Sequence, residues 1–295
     1  MQHDYLLSCE STVDMPYSYI NGRGINVLFY SYSVDGTEYP DDMERDPDAL
    51  GRFYGFIAAG KVPSTSQINT YAYADYFREL LKQGDVLHIA FGSGMTPSVN
   101  NAYEAAELLK AEFPERRLIV IDSYCSSSGY GLLVDSAADL WDAGKSMDEV
   151  EAWVKANCKH VHHQFFTSEL QYFKRSGRMS GPAATIATIL NICPIMRLNN
   201  AGRIIAYDKV RGKKAAVRRT LDEMEATANG GRDYDGKLFI CNANVRADAE
   251  ELERAIRERF PRITDYRIFN IGTIIASHCG PGTVAAFYFG KERPE

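Results

Sequence analysis

Short, nearly uninterrupted apolar runs alternate with longer segments of helical period through the first half of the chain. Residues 5–9, 25–32, 86–91 and 118–121 are predicted strands, since compact apolar runs bounded by turn signals suit strands buried on both faces. Residues 47–59, 69–83 and 97–113 are predicted helices between them. Asp46 is placed as the cap of the first, with Pro47 at its opening position. Thr96 is placed as the cap of the third, whose Val99, Ala102, Tyr103, Ala106 and Leu109 share one face. Strands alternating with helices predict an α/β fold with a parallel sheet covered on both sides. In such sheets ligands bind at the loops that leave the carboxyl ends of the strands.

Beyond about residue 159 the order changes. Residues 169–176, capped by Ser168 and stopped by Gly177, and 182–191, capped by Ser180 or Gly181, are predicted helices. Residues 194–198 and 203–210 form a hairpin about the turn 199–202. A helix at 213–228, a strand at 237–241, a helix at 248–260 and two buried strands at 271–276 and 284–289 complete the pattern. That order predicts helices packed on one face of a mixed sheet. The boundary falls within 157–164, giving a first domain of residues 1–160 and a second of 161–295.

Length and charge agree with this division. The 295 residues suit two domains of the usual size, and a net charge of −6 argues against broad nucleic-acid binding. The six cysteines are scattered, with no C-x-x-C pair, and are expected to be free thiols in a reducing compartment. The first residues lack the basic region and cleavage signal of a secretory peptide, so the expected location is cytoplasmic. Residues 268–290 carry no charge, but Asn270, Ser277, His278 and Gly280-Pro281-Gly282 interrupt the run and argue against a membrane span.

Candidate chemistry lies in loops rich in hydroxyls and glycines: Ser11-Thr12-Val13-Asp14, Pro63-Ser64-Thr65-Ser66-Gln67 and Phe91-Gly92-Ser93-Gly94-Met95-Thr96-Pro97. A Gly-Ser-Gly leaving a parallel strand offers backbone N–H groups beside a hydroxyl, a setting that suits an anion. At the other end of the chain, His278 precedes Gly280-Pro281-Gly282, a turn that can hold it in a fixed pose beside a ligand. Common catalytic templates are absent. No G-x-x-x-x-G-K-[ST] is present, Phe91 occupies the first glycine position of G-x-S-x-G, and His160, His162 and His163 lack metal-ligand spacing. The residues point to a site that holds an anion.

Taken in order, these loops resemble the DegV family of bacterial fatty-acid-binding proteins. The resemblance also rests on Tyr172-Phe173-Lys174-Arg175-Ser176-Gly177-Arg178, Pro194-Ile195 and His278-Cys279-Gly280-Pro281-Gly282, and it spans nearly the whole chain. Glu10, Ser176 and Cys193 depart from the family's usual Asp, Gly and Lys. The resemblance implies a two-domain α/β fold, the first domain α/β/α with a parallel sheet and the second a two-layer unit with a mixed sheet. It implies a long-chain fatty acid whose carboxylate sits at the domain interface on Thr65, Ser93 and His278, supported by Ser66, Gly94 and Gly280. Ile186, Ile189, Leu190, Ile192, Ile195 and Met196 are candidates for the wall of the acyl-chain tunnel. No cofactor and no catalytic residue is implied; a separate ATP-dependent fatty acid kinase subunit would make the acyl phosphate. Arg178, and secondarily Arg211, would meet that partner or the phosphoryl group. The alternatives are a stand-alone lipid carrier or sensor, and an enzyme using His278 on a small carbonyl substrate, as the distantly similar dihydroxyacetone kinases do.

Overall fold

Three of the apolar runs of the first half assemble as strands of one parallel sheet. The run 25–32 is divided, with residues 26–28 in that sheet and 31–34 in a separate antiparallel one. The computed structural model describes residues 3–178 and 191–295. Along the first half run β1 (Tyr5–Glu10), α1 (Tyr17–Gly22), β2 (Asn26–Leu28), β3 (Ser31–Val34), β4 (Thr37–Pro40), α2 (Ala49–Ala58), β5 (Ser64–Thr65), α3 (Thr70–Leu81), β6 (Asp85–Ala90), α4 (Ser98–Leu109), β7 (Leu118–Asp122), α5 (Ser127–Asp142) and α6 (Met147–Asn157). β2, β1, β6 and β7 lie side by side in that order, all parallel. A small antiparallel sheet, β4-β3-β5, stands beside them.

The second half supplies β8 (Val161–Thr167), α7 (Leu170–Ser176), β9 (Ile192–Leu198), β10 (Ile204–Arg211), α8 (Lys213–Thr227), β11 (Leu238–Asn242), α9 (Arg246–Arg259), β12 (Tyr266–Asn270), α10 (Thr273–Cys279) and β13 (Thr283–Phe289). Its strands form one sheet in the order β10-β9-β8-β13-β11-β12, antiparallel except where β11 meets β12. Side chains alternate across this sheet, as the two-residue period of a strand requires. Phe165, Met196, Ala285 and Phe287 join the core shared with the first half. Phe166, Ile195, Ala286 and Tyr288 join a second core under α8 and α9.

Helix α5 links the two halves. Of its 16 residues 13 are buried, and it packs against both β1 and the strands β8, β11 and β13. A helix buried nearly all round belongs to the centre of a fold, not its surface. Among the described residues no helix is long and apolar enough to cross a membrane. All six cysteines are free and buried.

Several boundaries differ from the expected ones. Residues 271–276 are not a strand: Gly272 opens α10, and Ser277 Oγ donates 2.7 Å back to the Thr273 carbonyl within the helix. Two adjacent isoleucines in a helix of seven residues carry no readable period. α2 starts two residues beyond Pro47, and Asp46 Oδ1 accepts from the Asp48 N–H at 2.9 Å ahead of it. α4 starts at Ser98 with no side-chain cap, so Thr96 is released from the capping role. α3 is capped as a helix start should be, by Asn69 Oδ1 accepting from the Ala72 N–H at 2.9 Å. Gly177, in the left-handed conformation, ends α7, which opens at Leu170 behind Glu169 instead of Ser168. The helix expected at 182–191 falls almost wholly outside the described residues.

Candidate functional site

Strand β5 is only two residues long, yet its pairing with β3 sets Thr65 opposite Tyr32 and aims it at the C-terminal half. There it meets α10. Thr65 Oγ1 and His278 Nε2 lie 2.8 Å apart, a direct hydrogen bond between residues 213 positions apart in the chain. Burial, assisted by the positive charge of Arg178, pushes the His278 imidazole down to about 4. At neutral pH it is therefore an uncharged group that can donate or accept one hydrogen bond at each nitrogen.

This pair stands in the wall of a cavity of about 340 Å³. The volume falls within the range usual for small-ligand sites, roughly 300–1,000 Å³. Thr65, Ser66, Gln67, Thr96, Ser126 and His278 supply its polar groups, with Arg178 exposed at the rim. Phe91, Met95, Phe173, Ile204, Ile274 and Ile275 supply its apolar wall. Ser126, Phe173, Ile204, Ile275 and Cys279 are shared with a smaller inner cavity of about 50 Å³. That inner space is walled mainly by apolar groups, among them Phe165, Leu198 and Phe287 of the second sheet. No aspartate or glutamate lines either cavity among the described residues. Hydroxyls, a neutral imidazole and a guanidinium at the mouth, with hydrocarbon behind, suit an anion that carries an apolar tail.

The loop after β6 is held from below. Glu10 Oε2 accepts the Phe91 N–H at 2.9 Å, while Oε1 accepts the Tyr73 hydroxyl and lies 3.3 Å from His88 Nε2. Above, Gly94 packs so closely on the backbone of Ala201 and Gly202 that a Cβ at 94 would collide with it. The loop thus joins the first half to the hairpin turn of the second.

Not every expected site residue reaches the cavity. Ser93 is exposed and outside its lining, and its N–H is already donated to Asp122 Oδ1 at 3.0 Å. The hydroxyl-bearing residue of this loop in the cavity lining is Thr96, which sequence reasoning assigned to helix capping. Ser66 lines the cavity, and Gly280, with φ of 63°, packs against the Tyr172 ring. Ile195 faces α8 and α9 on the far side of its sheet, because the neighbouring Met196 takes the inner side. Met196 is buried in the shared core and Ile192 is half-buried, but neither is in the cavity lining. Ile186, Ile189 and Leu190 lie outside the described residues. Arg211 is exposed at the end of β10, away from the lining. Ser126, Phe173, Ile204, Ile274 and Ile275 were not foreseen; only Phe173, inside a quoted motif, had a signal in the sequence.

Fold and site together define a class: α/β proteins with a parallel sheet in the first half, a mixed sheet in the second and a cavity lined by both halves. Within it, the chain belongs to the DegV family, whose model, described as an uncharacterised protein family, matches residues 8–291. A DegV domain-containing protein of Clostridium perfringens is 35% identical over 292 residues, which cover 98% of each chain. Among solved structures, a DegV family protein from Thermus thermophilus, described as binding fatty acid, superposes with a TM-score of 0.86 at 25% identity. That match covers 98% of this chain and 100% of the other. A DegV lipid-binding protein from Thermotoga maritima has the same fold, with a TM-score of 0.84 at 24% identity over 98% of this chain and 99% of its own.

Proposed function

We propose that this protein binds a long-chain fatty acid, with the carboxylate on Thr65, Thr96 and His278 and the acyl chain in the apolar part of the cavity. The observation that carries the reading is the composition of that cavity. Its mouth gathers neutral hydrogen-bonding groups and one guanidinium, its interior is hydrocarbon, and no carboxylate lines it among the described residues. Burying each methylene is worth ~0.8 kcal/mol, so an acyl chain supplies most of the affinity and the head group supplies orientation. The binding described for the Thermus thermophilus relative supports the same assignment.

A second level of the proposal concerns the bound acid's fate. The protein presents the carboxylate to a separate ATP-dependent kinase subunit, which forms the acyl phosphate, and acts itself as a binding subunit. Arg178 suits that role: it is exposed at the rim, and its Nη1 donates only to the Ser176 carbonyl, at 2.7 Å, among the bonds of the described residues. A positive charge there would meet the phosphoryl group or the partner.

One series of variants tests both levels. Thr65→Ala and Thr96→Ala are each expected to weaken palmitate binding by ~1–3 kcal/mol, the range for a hydrogen bond to a charged group. Ser93→Ala, whose hydroxyl lies outside the cavity lining, is expected to leave affinity within about 0.5 kcal/mol. Arg178→Ala should bind palmitate nearly normally and lose acyl phosphate formation when the kinase subunit and ATP are added. Equal losses in Ser93→Ala and Thr96→Ala would overturn the head-group assignment, and full turnover by Arg178→Ala would remove the role given to that residue.

A further inference from the structure

α10 is suspended at both ends from the small sheet of the first half. At its C-terminal end His278 bonds to Thr65 of β5. At its N-terminal end the Thr273 hydroxyl donates to Asp41 Oδ1 at 2.8 Å, and Asp41 directly follows β4. β4 and β5 both pair with β3, so the two anchor points belong to one frame. Asp14 completes the docking. The Ser127 hydroxyl at the start of α5 donates to its Oδ2, and Gly272 packs so closely on it that a methyl group there would stand 2.6 Å from Oδ1.

Both carboxylates are almost fully buried, with exposures of 4% for Asp14 and 2% for Asp41. They border a small cavity whose lining also includes Asp42 and Glu44 but, among the described residues, no lysine, arginine or histidine. Arg45, in the same loop, is stacked instead on the rings of Tyr17 and Phe29. Burial pushes Asp41 up to about 6 and raises Asp14 as well, against the pull of their hydrogen-bond donors. Two buried acids without a cation are a costly way to satisfy a helix end. Their geometry nevertheless gives α10 a fixed point at its N-terminal end, while Ile274, Ile275, His278 and Cys279 of the same helix line the larger cavity.

We propose that Asp14 and Asp41 are positioning residues for the ligand site: they fix the N-terminal end of α10 and thereby set where His278 meets Thr65 and the bound head group. The proposal rests on the fatty-acid reading for its ligand, but its mechanical part does not. A hydroxyl bonded to Asp41 at one end of a helix of only seven residues leaves little freedom at the other. Losing that bond lets α10 shift, and the imidazole leaves the buried pose that holds it neutral.

The test uses the full chain and reads the His278 imidazole by NMR alongside palmitate titration. Thr273→Val and Asp41→Ala should move the His278 midpoint from about 4 upward towards its ordinary ~6.5, and weaken palmitate binding by ~10-fold. Asp41→Asn keeps an oxygen for the Thr273 hydroxyl and should restore both readouts. Leu252→Ala, a cavity in the buried face of α9, supplies a destabilised control that should lower Tm without moving His278. If Asp41→Ala fails to fold, Thr273→Val, which removes one hydroxyl, decides the matter. The proposal is overturned if His278 keeps its low midpoint and palmitate binds normally in Thr273→Val, or if Leu252→Ala shifts His278 equally. A shift of His278 in Thr273→Val, with no palmitate bound even by the unaltered protein, would uphold the positioning role and defeat the fatty-acid reading instead.

Discussion

Replacing Ile275 with tryptophan is expected to lower palmitate affinity by about three orders of magnitude while the protein stays folded. Ile275 lines both the main cavity and the inner one, at the passage where an acyl chain would run from head group to interior. An indole there occupies the space of several methylenes. At ~0.8 kcal/mol each, excluding five or six of them removes about 4–5 kcal/mol, which is close to a thousandfold in affinity. The added volume enters an existing cavity, so the destabilisation should stay within the ~1–3 kcal/mol of ordinary overpacking. Titration of refolded, delipidated protein with palmitate, together with urea melting, measures both quantities. Unchanged affinity in a folded Ile275→Trp variant would place the acyl chain elsewhere.

The largest effect on stability is expected at Asp135, in the middle of α5. Its side chain is fully buried, and it receives Arg23 Nη1 at 2.5 Å, Lys237 Nζ at 2.5 Å and the Tyr19 hydroxyl at 2.7 Å. Burial pushes its carboxyl up, but Lys237, Tyr19 and Arg23 together outweigh that and hold it below the usual carboxylate range. A carboxyl depressed in this way contributes stability above its unfolded value, and the contribution is lost as pH falls through the lower folded one. Arg23 comes from the first half and Lys237 from the segment before β11, so one carboxylate ties both halves to the central helix. Asp135→Ala is expected to cost about 3 kcal/mol, the low end for breaking a buried ion pair, because Asp139 remains within reach of both cations. Urea unfolding at neutral pH checks it. A loss below about 1 kcal/mol would show that the cations re-pair without penalty.

The sequence was most legible where a whole element carries one signal. Strands β1, β6 and β7 of the parallel sheet, the hairpin of β9 and β10, and helices α3, α8 and α9 stand close to where periodicity put them, whereas the run 25–32 splits between β2 and β3 of different sheets. Elements whose buried residues are polar were harder to read. β8 includes His162, His163 and Gln164, all buried, and they are tolerated because the fold supplies partners such as the Lys291 carbonyl, 2.8 Å from His162 Nε2. α5 begins with serines and glycines and has no apolar stripe, since it is buried on all sides. In each case the local pattern yields to tertiary packing.

The site divides along the same line. Thr65 and His278 lie 2.8 Å apart, although no local rule joins positions so far apart in the chain. Ser93 and Thr96 could be ranked only by knowing where α4 begins, and a one-residue difference there moved Thr96 from a helix cap to the cavity lining. Ile195 and Met196 show the same sensitivity, because a strand sends neighbours to opposite faces and only the sheet's packing says which face holds the ligand.

Mass spectrometry of the untreated protein, first under native and then under denaturing conditions, tests the central claim most directly. The expected native mass exceeds that of the chain by roughly one long-chain fatty acid, acquired from the expression host because an apolar cavity does not stay empty among lipids. Denaturation should release the acid and leave the bare chain. A native mass equal to that of the chain, with no uptake of added palmitate or oleate, would contradict the account, and so would an adduct that survives denaturation on His278.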